Sequence, residues 1–317
     1  MKAGDLEKRL RWFDRGAAAF SQVFPDALAF LGPNASPHYV CPECAEPDAS
    51  GQNYKVQLFS RTAVQRRELT AEHVPPKAFS GRELLLTCKS CNHRGGFELE
   101  AHARKRENPY DVLRGVATKP ARVRLMAGRF HFSAELKVEE GMLELQLPPE
   151  SRNANDPKEW PAYKQEMIRK VGDLPPITIE FSNDAHSFAR ANAAWLRHAY
   201  LALFAVAGYR YIFQPGLGIV RKQIKEPDAD HIPTFLAALP GEHPWSQRRI
   251  LMVREPEWLQ SWAVQIGRYV VFLPRPGDTS FYARLAEDGK IANRRQFNCD
   301  VFDWPTEPSF GLDSVEP

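Results

Sequence analysis

Two pairs of cysteines constrain this chain more than any other feature. Cys41-Pro-Glu-Cys44 and Cys88-Lys-Ser-Cys91 stand 43 residues apart. A CxxC pair bends the backbone into a knuckle whose two thiolates face one point, and two knuckles complete a tetrahedral set for a structural zinc ion. Whatever else the chain folds into, closing such a site must bring residues 41 and 91 together. The metal bonds then supply folding free energy on the order of 10 kcal/mol. A redox dithiol would need only one pair, set beside a βαβ pattern that this sequence does not have. The fifth cysteine, Cys299 in "QFNCDVF", stands alone and reads as a small buried apolar side chain.

The charge pattern narrows the partner. The whole chain carries a formal charge of only +3, which names nothing. Between Lys55 and Arg124, however, fifteen Lys and Arg face seven Asp and Glu, a local net of +8. A basic segment in an otherwise mildly acidic protein is the expected footprint of phosphate contacts. With 43% apolar and 26% charged residues the chain is globular, not disordered. Its first residues, "MKAGDLEKRLRWFDRG", lack the apolar stretch of a signal peptide. The longest apolar run, "AYLALFAVAGY" at 199–209, is about half of a membrane span. The expectation is a cytoplasmic protein with no membrane partner.

Three segments follow from the patterning. Residues 1–37 form an N-terminal helical segment, with Leu6, Leu10, Phe13, Ala17 and Phe20 on one face of a helix over 5–24. Residues 38–108 hold both knuckles, with short strands such as "YKVQLFS" and "GRELLLTC" and a helix over "NHRGGFELEAHARKRE". Residues 109–317 read as a larger α+β domain of mainly antiparallel strands with one long helix at 184–207 and a shorter one at 217–225. Its strands are expected in "ARVRLMAG", "RFHFSAELKVEEG", "MLELQLP", "PPITIEF", "RRILMVRE", "WLQSWAVQIG", "RYVVFLP" and "SFYARLAE", with a polar separator at 148–162. Nothing in this domain matches a catalytic motif, and "GLG" at 216–218 lacks the spacing of a phosphate loop.

The chemistry lies between the knuckles. In "AEHVPP" a carboxylate and an imidazole are adjacent, Glu72 and His73, nineteen residues before Asn92. Asn92 follows Cys91 directly, so the second knuckle sets where its amide points. Phosphodiester hydrolysis, implied by the resemblance of these residues to the HNH endonuclease family, needs a base for water and a cation for the charge developing on the phosphate. A neutral imidazole, with an ordinary pKa of about 6.5, can be that base. A carboxylate and an amide oxygen are hard ligands suited to magnesium or manganese. His73 is therefore read as the catalytic base, with Glu72 and Asn92 as metal ligands. Glu100, two helical turns beyond Asn92, is a further candidate ligand. Lys77, Lys89, Arg94, Arg104, Lys105 and Arg106 surround the motif and could position DNA through its phosphates. His93 and His102, on the same basic helix, read as surface residues.

These residues together resemble the HNH endonuclease family, in its branch with two CxxC pairs. The resemblance rests on Glu72-His73 with Pro75 and Pro76, then on Cys91-Asn92 followed by Gly95-Gly96 and "ELEAHA", and it covers residues 38–106. It implies a zinc-stapled ββα-metal HNH core and cleavage of DNA, or alternatively RNA, to 5′-phosphate and 3′-hydroxyl ends. Such proteins with a large partner domain often serve in restriction or anti-phage defence. The chain departs from the family pattern at Glu83, where a middle Asn normally stands nine residues before Asn92, and at Glu72, where Asp is commoner. Glu83 is what favours the alternative of a catalytically inactive, zinc-dependent nucleic-acid-binding or regulatory protein with a degenerate core.

Overall fold

The computed structural model describes residues 3–25, 36–47, 54–117, 119–127, 130–146, 161, 165, 177–181, 186–288 and 297–311. The polar separator expected at 148–162 lies outside these residues apart from Pro161. By packing, the chain divides into two compact units, one of Met1–Ala101 with Ala189–Pro317 and one of His102–Phe188. Residues 109–188 and 189–317, grouped into one domain on composition, thus fall in different units.

In the first unit, helix α1 (Ala3–Val23) buries Trp12, Phe13, Gly16, Ala17, Ala19 and Phe20. This is the three-and-four spacing that a one-sided apolar helix requires. Short antiparallel pairs follow: β1 (Tyr39–Val40) with β4 (Leu58–Phe59), and β2 (Glu46–Pro47) with β3 (Tyr54–Lys55). After the short helix α2 (Thr62–Gln65) comes a hairpin of β5 (Leu69–Val74) and β6 (Arg82–Cys88). Its register runs from Leu69 opposite Cys88 to Val74 opposite Arg82, with a bulge between Glu72 and His73. The chain then enters helix α3 (Lys89–Arg94), widens into a π-helical turn over Gly95–Glu100, and continues as α4 (Ala101–Leu113).

In the second unit, β7 (Ala121–Ala127), β8 (Phe130–Glu139), β9 (Met142–Gln146) and β10 (Ile177–Phe181) form one antiparallel sheet in the order β10-β7-β8-β9. Val123, Leu125, Phe132 and Leu136 line its core together with Val112 of α4. The "EEG" turn links β8 to β9 through Glu140 and Gly141, both at positive φ. A two-residue hairpin loop of that twist demands such a pair, and glycine supplies one of them without strain.

The first unit resumes with α5 (Phe188–Ile212), which bends at Gly208. From Ala193 to Ala205 every residue is buried, so this is a core helix and not a one-sided one. Helix α6 (Gly218–Lys225) follows. Then come β11 (Leu236–Ala238), β12 (Arg248–Glu255), β13 (Ser261–Ile266), β14 (Tyr269–Leu273) and β15 (Asn298–Phe302), in the sheet order β11-β14-β13-β12-β15. All residues of β13 and β14 are buried, as in a sheet covered on both faces. Every strand pair among the described residues is antiparallel. One expected strand is wrong: "SFYARLAE" lies in helix α7 (Phe281–Asp288). Phe281 and Leu285, four residues apart, are both fully buried, and Asp278 accepts the Ser280 N–H at 3.2 Å just ahead of the first turn. The alternation that suggested a strand is incidental to that helical face. Cys299, on the edge strand β15, is half-buried.

Candidate active site and metal centre

The two knuckles meet as their spacing demands. All four sulfur atoms lie within 4.8 Å of one another, with Cys44 Sγ at 3.5 Å from Cys88 and 3.6 Å from Cys91. A tetrahedral zinc with Zn–S bonds of about 2.3 Å sets its sulfurs about 3.8 Å apart, so the spacing fits the ion. Backbone N–H groups already point at two of the sulfurs, Cys88 N–H at Cys41 Sγ (3.3 Å) and Cys91 N–H at Cys88 Sγ (3.4 Å). The second of these also caps the start of α3. Burial and the three neighbouring sulfurs push the Cys41 thiol well above its ordinary value. Four thiolates crowded together need a cation between them, and a tetrahedral set of soft sulfurs suits an ion such as zinc. Cys41, Cys44, Cys88 and Cys91 can hold a structural metal ion of that kind. Among the described residues they are the only cluster of three or more His, Cys, Asp or Glu side chains at ligating distance.

His73 stands half-buried at the bulge of β5. Asn92, on α3, donates from its side-chain amide to the backbone carbonyl of Ala71 at 3.1 Å. The knuckle thus sets Asn92, and Asn92 ties the helix to the strand two residues ahead of His73. Opposite His73 in the register is Glu83. Its carboxylate does not turn to that strand. It accepts from Lys8 Nζ at 2.9 Å and Arg9 Nη2 at 2.7 Å, so it binds the hairpin to α1. Burial alone would push Glu83 up, but Lys8 and Arg9 outweigh it and hold the carboxyl below its ordinary value.

The largest surprise lies beneath His73. Arg197, in the middle of α5, has no exposed surface and spends its guanidinium on three carboxylates. Nε and Nη2 donate to the two oxygens of Glu43, both at 2.9 Å. Nη1 and Nη2 donate to the two oxygens of Glu72, at 3.2 and 2.7 Å. Nη1 also reaches Glu100 Oε1 at 3.0 Å. Thr87 completes the shell of Glu72 with a hydroxyl at 3.1 Å. His198 Nε2 lies 3.1 Å from Glu100 Oε1, but outside hydrogen-bond alignment. One guanidinium therefore joins the first knuckle, strand β5 and the helical turn after Asn92.

The same contact explains Gly95 of the motif. A Cβ built there would overlap the guanidinium of Arg197, whereas one at Gly96 meets nothing. Burial raises the Glu72 carboxyl above its ordinary value despite Arg197, with Glu100 adding to the rise. Glu100 is also pushed up by burial, but His198, Arg197 and His73 together pull it below its ordinary value. The last of these sets His73 within electrostatic reach of Glu100.

Of the residues read as ligands of a catalytic cation, Glu72 and Glu100 thus come together, but around a guanidinium. Both oxygens of Glu72 are committed, and in this arrangement the carboxylate does not fit a magnesium or manganese ligand. Among the residues read as DNA contacts, Lys77, Lys89, Arg104 and Lys105 are exposed and Arg94 is half-buried. Arg106 instead donates to the buried carboxylate of Glu107 at 2.9 Å, which assigns it to structure before any phosphate. His93 is exposed and stacks on Phe97, itself 75% exposed, and His102 Nδ1 accepts the Ser187 N–H at 2.9 Å.

Sequence reasoning passed over Glu43, Arg197 and His198. A signal was present, since "AAWLRHAYLALF" places two basic residues inside an apolar run, and a buried cation demands partners. Nothing local says which partners. Comparison with family models, with curated proteins and with solved structures finds no match for the chain. No helix among the described residues is long and apolar enough to cross a membrane.

Proposed function

We propose that this chain is an HNH-type endonuclease that hydrolyses phosphodiester bonds in DNA. The observation that carries the reading is the β5–β6–α3 unit, in which the four-cysteine cluster anchors the helix and Asn92 braces the strand bearing His73. In this reading His73, as a neutral imidazole, takes a proton from the attacking water. The water oxygen bonds to phosphorus as the bond from phosphorus to the 3′ oxygen breaks, and that oxygen takes a proton from solvent, leaving a 5′-phosphate and a 3′-hydroxyl. Zinc at the cysteines is structural and takes no part in the chemistry. Magnesium or manganese is the expected second ion, supplying positive charge against the phosphate. Arg197 holds both oxygens of Glu72, so the proton transfer is assigned to His73 alone. Exposed Lys77, Lys89, Arg104 and Lys105 would contact phosphates without reading sequence. A role in restriction or anti-phage defence, in the cytoplasm, is proposed by analogy of architecture alone.

A second reading is favoured by one observation, the commitment of Glu72 to Arg197. In it the core is non-cutting, and the chain is a zinc-dependent nucleic-acid-binding or regulatory protein. One experiment separates the two. Purified wild type and His73→Ala are incubated with supercoiled plasmid, linear DNA and RNA, each with and without added magnesium or manganese. The nuclease reading expects cutting by wild type that His73→Ala abolishes while zinc content stays the same. Retention of DNA without cutting under any ion selects the second reading. Equal cutting by the two proteins would remove His73 as the base, and the mechanism with it.

A further inference from the structure

The turn of the His73 hairpin borders a cleft of about 340 Å³ whose walls include Val74, Arg82, Glu83, Arg248, Trp304 and Pro305. It begins one residue beyond His73, because Val74 faces Arg82 and His73 faces Glu83 across the two strands. Its volume sits at the low end of small-ligand pockets, about 300–1,000 Å³. That suits a single nucleotide and not a duplex.

The electrostatics of the cleft are unusual. The carboxylate of Glu83 is already matched by Lys8 and Arg9. Arg248 is half-buried, and its fork is held by three backbone carbonyls. Nε donates to Trp245 O at 2.8 Å, and Nη2 donates to Ser80 O at 2.6 Å and to Phe79 O at 3.3 Å. Carbonyls orient a guanidinium without neutralising it, and Nη1 has no part in these bonds. The indole of Trp304 lies against the same guanidinium, with its ring centre 5.9 Å from the central carbon. Among the described residues no carboxylate pairs with either Arg248 or Arg82. Burial and the charge of Arg82 both hold Arg248 below its ordinary value, as expected of two cations with no anion between them.

Two guanidiniums without a carboxylate partner among the described residues, one of them held by backbone carbonyls beside an indole, make an arrangement that a phosphate completes. An aromatic ring next to a phosphate site is a stacking surface for a base. We propose that this cleft binds one nucleotide of the nucleic-acid substrate, with Arg82 and Arg248 on the phosphate and Trp304 against the base. The proposal rests on the nuclease reading for its purpose, which is to seat the strand beside His73. It rests on the cleft alone for its chemistry.

Isothermal titration of the full zinc-loaded chain tests it, with a deoxynucleoside 5′-monophosphate, the matching nucleoside and inorganic phosphate as probes. Arg82→Gln and Trp304→Leu are the variants; the Arg82 side chain is exposed, and circular dichroism checks that its replacement keeps the fold. The expected result is saturable binding of the monophosphate, about tenfold weaker in Arg82→Gln, the loss of one charge-assisted contact. Trp304→Leu should weaken the monophosphate and leave inorganic phosphate unchanged. Absence of saturable monophosphate binding by wild type, or equal affinity in Arg82→Gln, overturns the site. Binding of inorganic phosphate as tight as that of the monophosphate, with no effect of Trp304→Leu, overturns the nucleotide assignment. The two readings fail separately. A chain that cuts nothing but binds the monophosphate through Arg82 keeps the subsite and loses the nuclease. A chain that cuts DNA but binds no monophosphate loses the subsite and keeps the nuclease.

Discussion

Replacing Arg197 with Met is the most revealing perturbation of this fold. Methionine approximates the length of the arginine stem and removes only the guanidinium. Three carboxylates then lose their cation, two of them almost completely buried, with Glu43 at 2% and Glu72 at 4% exposure. Five hydrogen bonds disappear with it. Removing one member of a buried ion cluster typically costs about 3–5 kcal/mol, most of it the penalty on the charges left behind. Arg197→Met should therefore lose about that much stability in urea titrations at fixed zinc. If the penalty sits on the abandoned carboxylates, then Glu43→Gln and Glu72→Gln added to Arg197→Met should restore part of the loss, although they remove yet more of the native network. A single variant within about 1 kcal/mol of wild type would refute the reasoning, since an exposed pair is worth that little. So would a triple variant less stable than the single one.

The remaining predictions probe other parts of the same assembly. Gly95→Ala drives a methyl into the guanidinium of Arg197 and should cost about 1–3 kcal/mol, whereas Gly96→Ala, in open space, should be neutral or stabilise by up to about 1 kcal/mol; equal effects in thermal melts would contradict the packing described. Cys88→Ser should lose zinc by elemental analysis and melt the knuckles with it, because its sulfur both belongs to the cluster and caps α3. Glu83 has its carboxyl held below the ordinary value, so the stability it contributes is present above the unfolded pKa of about 4.3 and is lost as pH falls through the folded value. Glu83→Gln should accordingly flatten the acid limb of a stability-against-pH curve, and parallel curves for the two proteins would show that Lys8 and Arg9 contribute nothing through it. Glu72 has the opposite sign, its carboxyl being raised by burial, so its ionisation costs stability as pH rises through the folded value.

What the sequence determined by itself is the set of local devices. Each CxxC knuckle is made within four residues, and the strand ending at Cys88 and the helix starting at Lys89 share the cysteine that joins them. The helix α1, the Glu140-Gly141 turn, the strands β7 to β10 and the strands β12 to β14 are legible in neighbouring residues, whereas the edge strands β11 and β15 are not. Where local period misled, at "SFYARLAE", the burial of Phe281 and Leu285 against the rest of the unit decided for helix. The partners of the charged residues are another matter. Glu72 read as a free carboxylate beside His73, Glu83 as a missing asparagine, and Arg106 as a surface base. Their roles are set by Arg197, by Lys8 and Arg9, and by the buried Glu107, which lie 125 residues, about 75 residues and one residue away. The reason is physical. An apolar side chain is satisfied by any apolar neighbour, so its pattern alone predicts burial, but a buried charge is satisfied only by a particular opposite charge in particular geometry. For Glu72 and Glu83 that match is made by packing between distant segments, for Arg106 by the burial of its neighbour Glu107, and only the folded chain contains either.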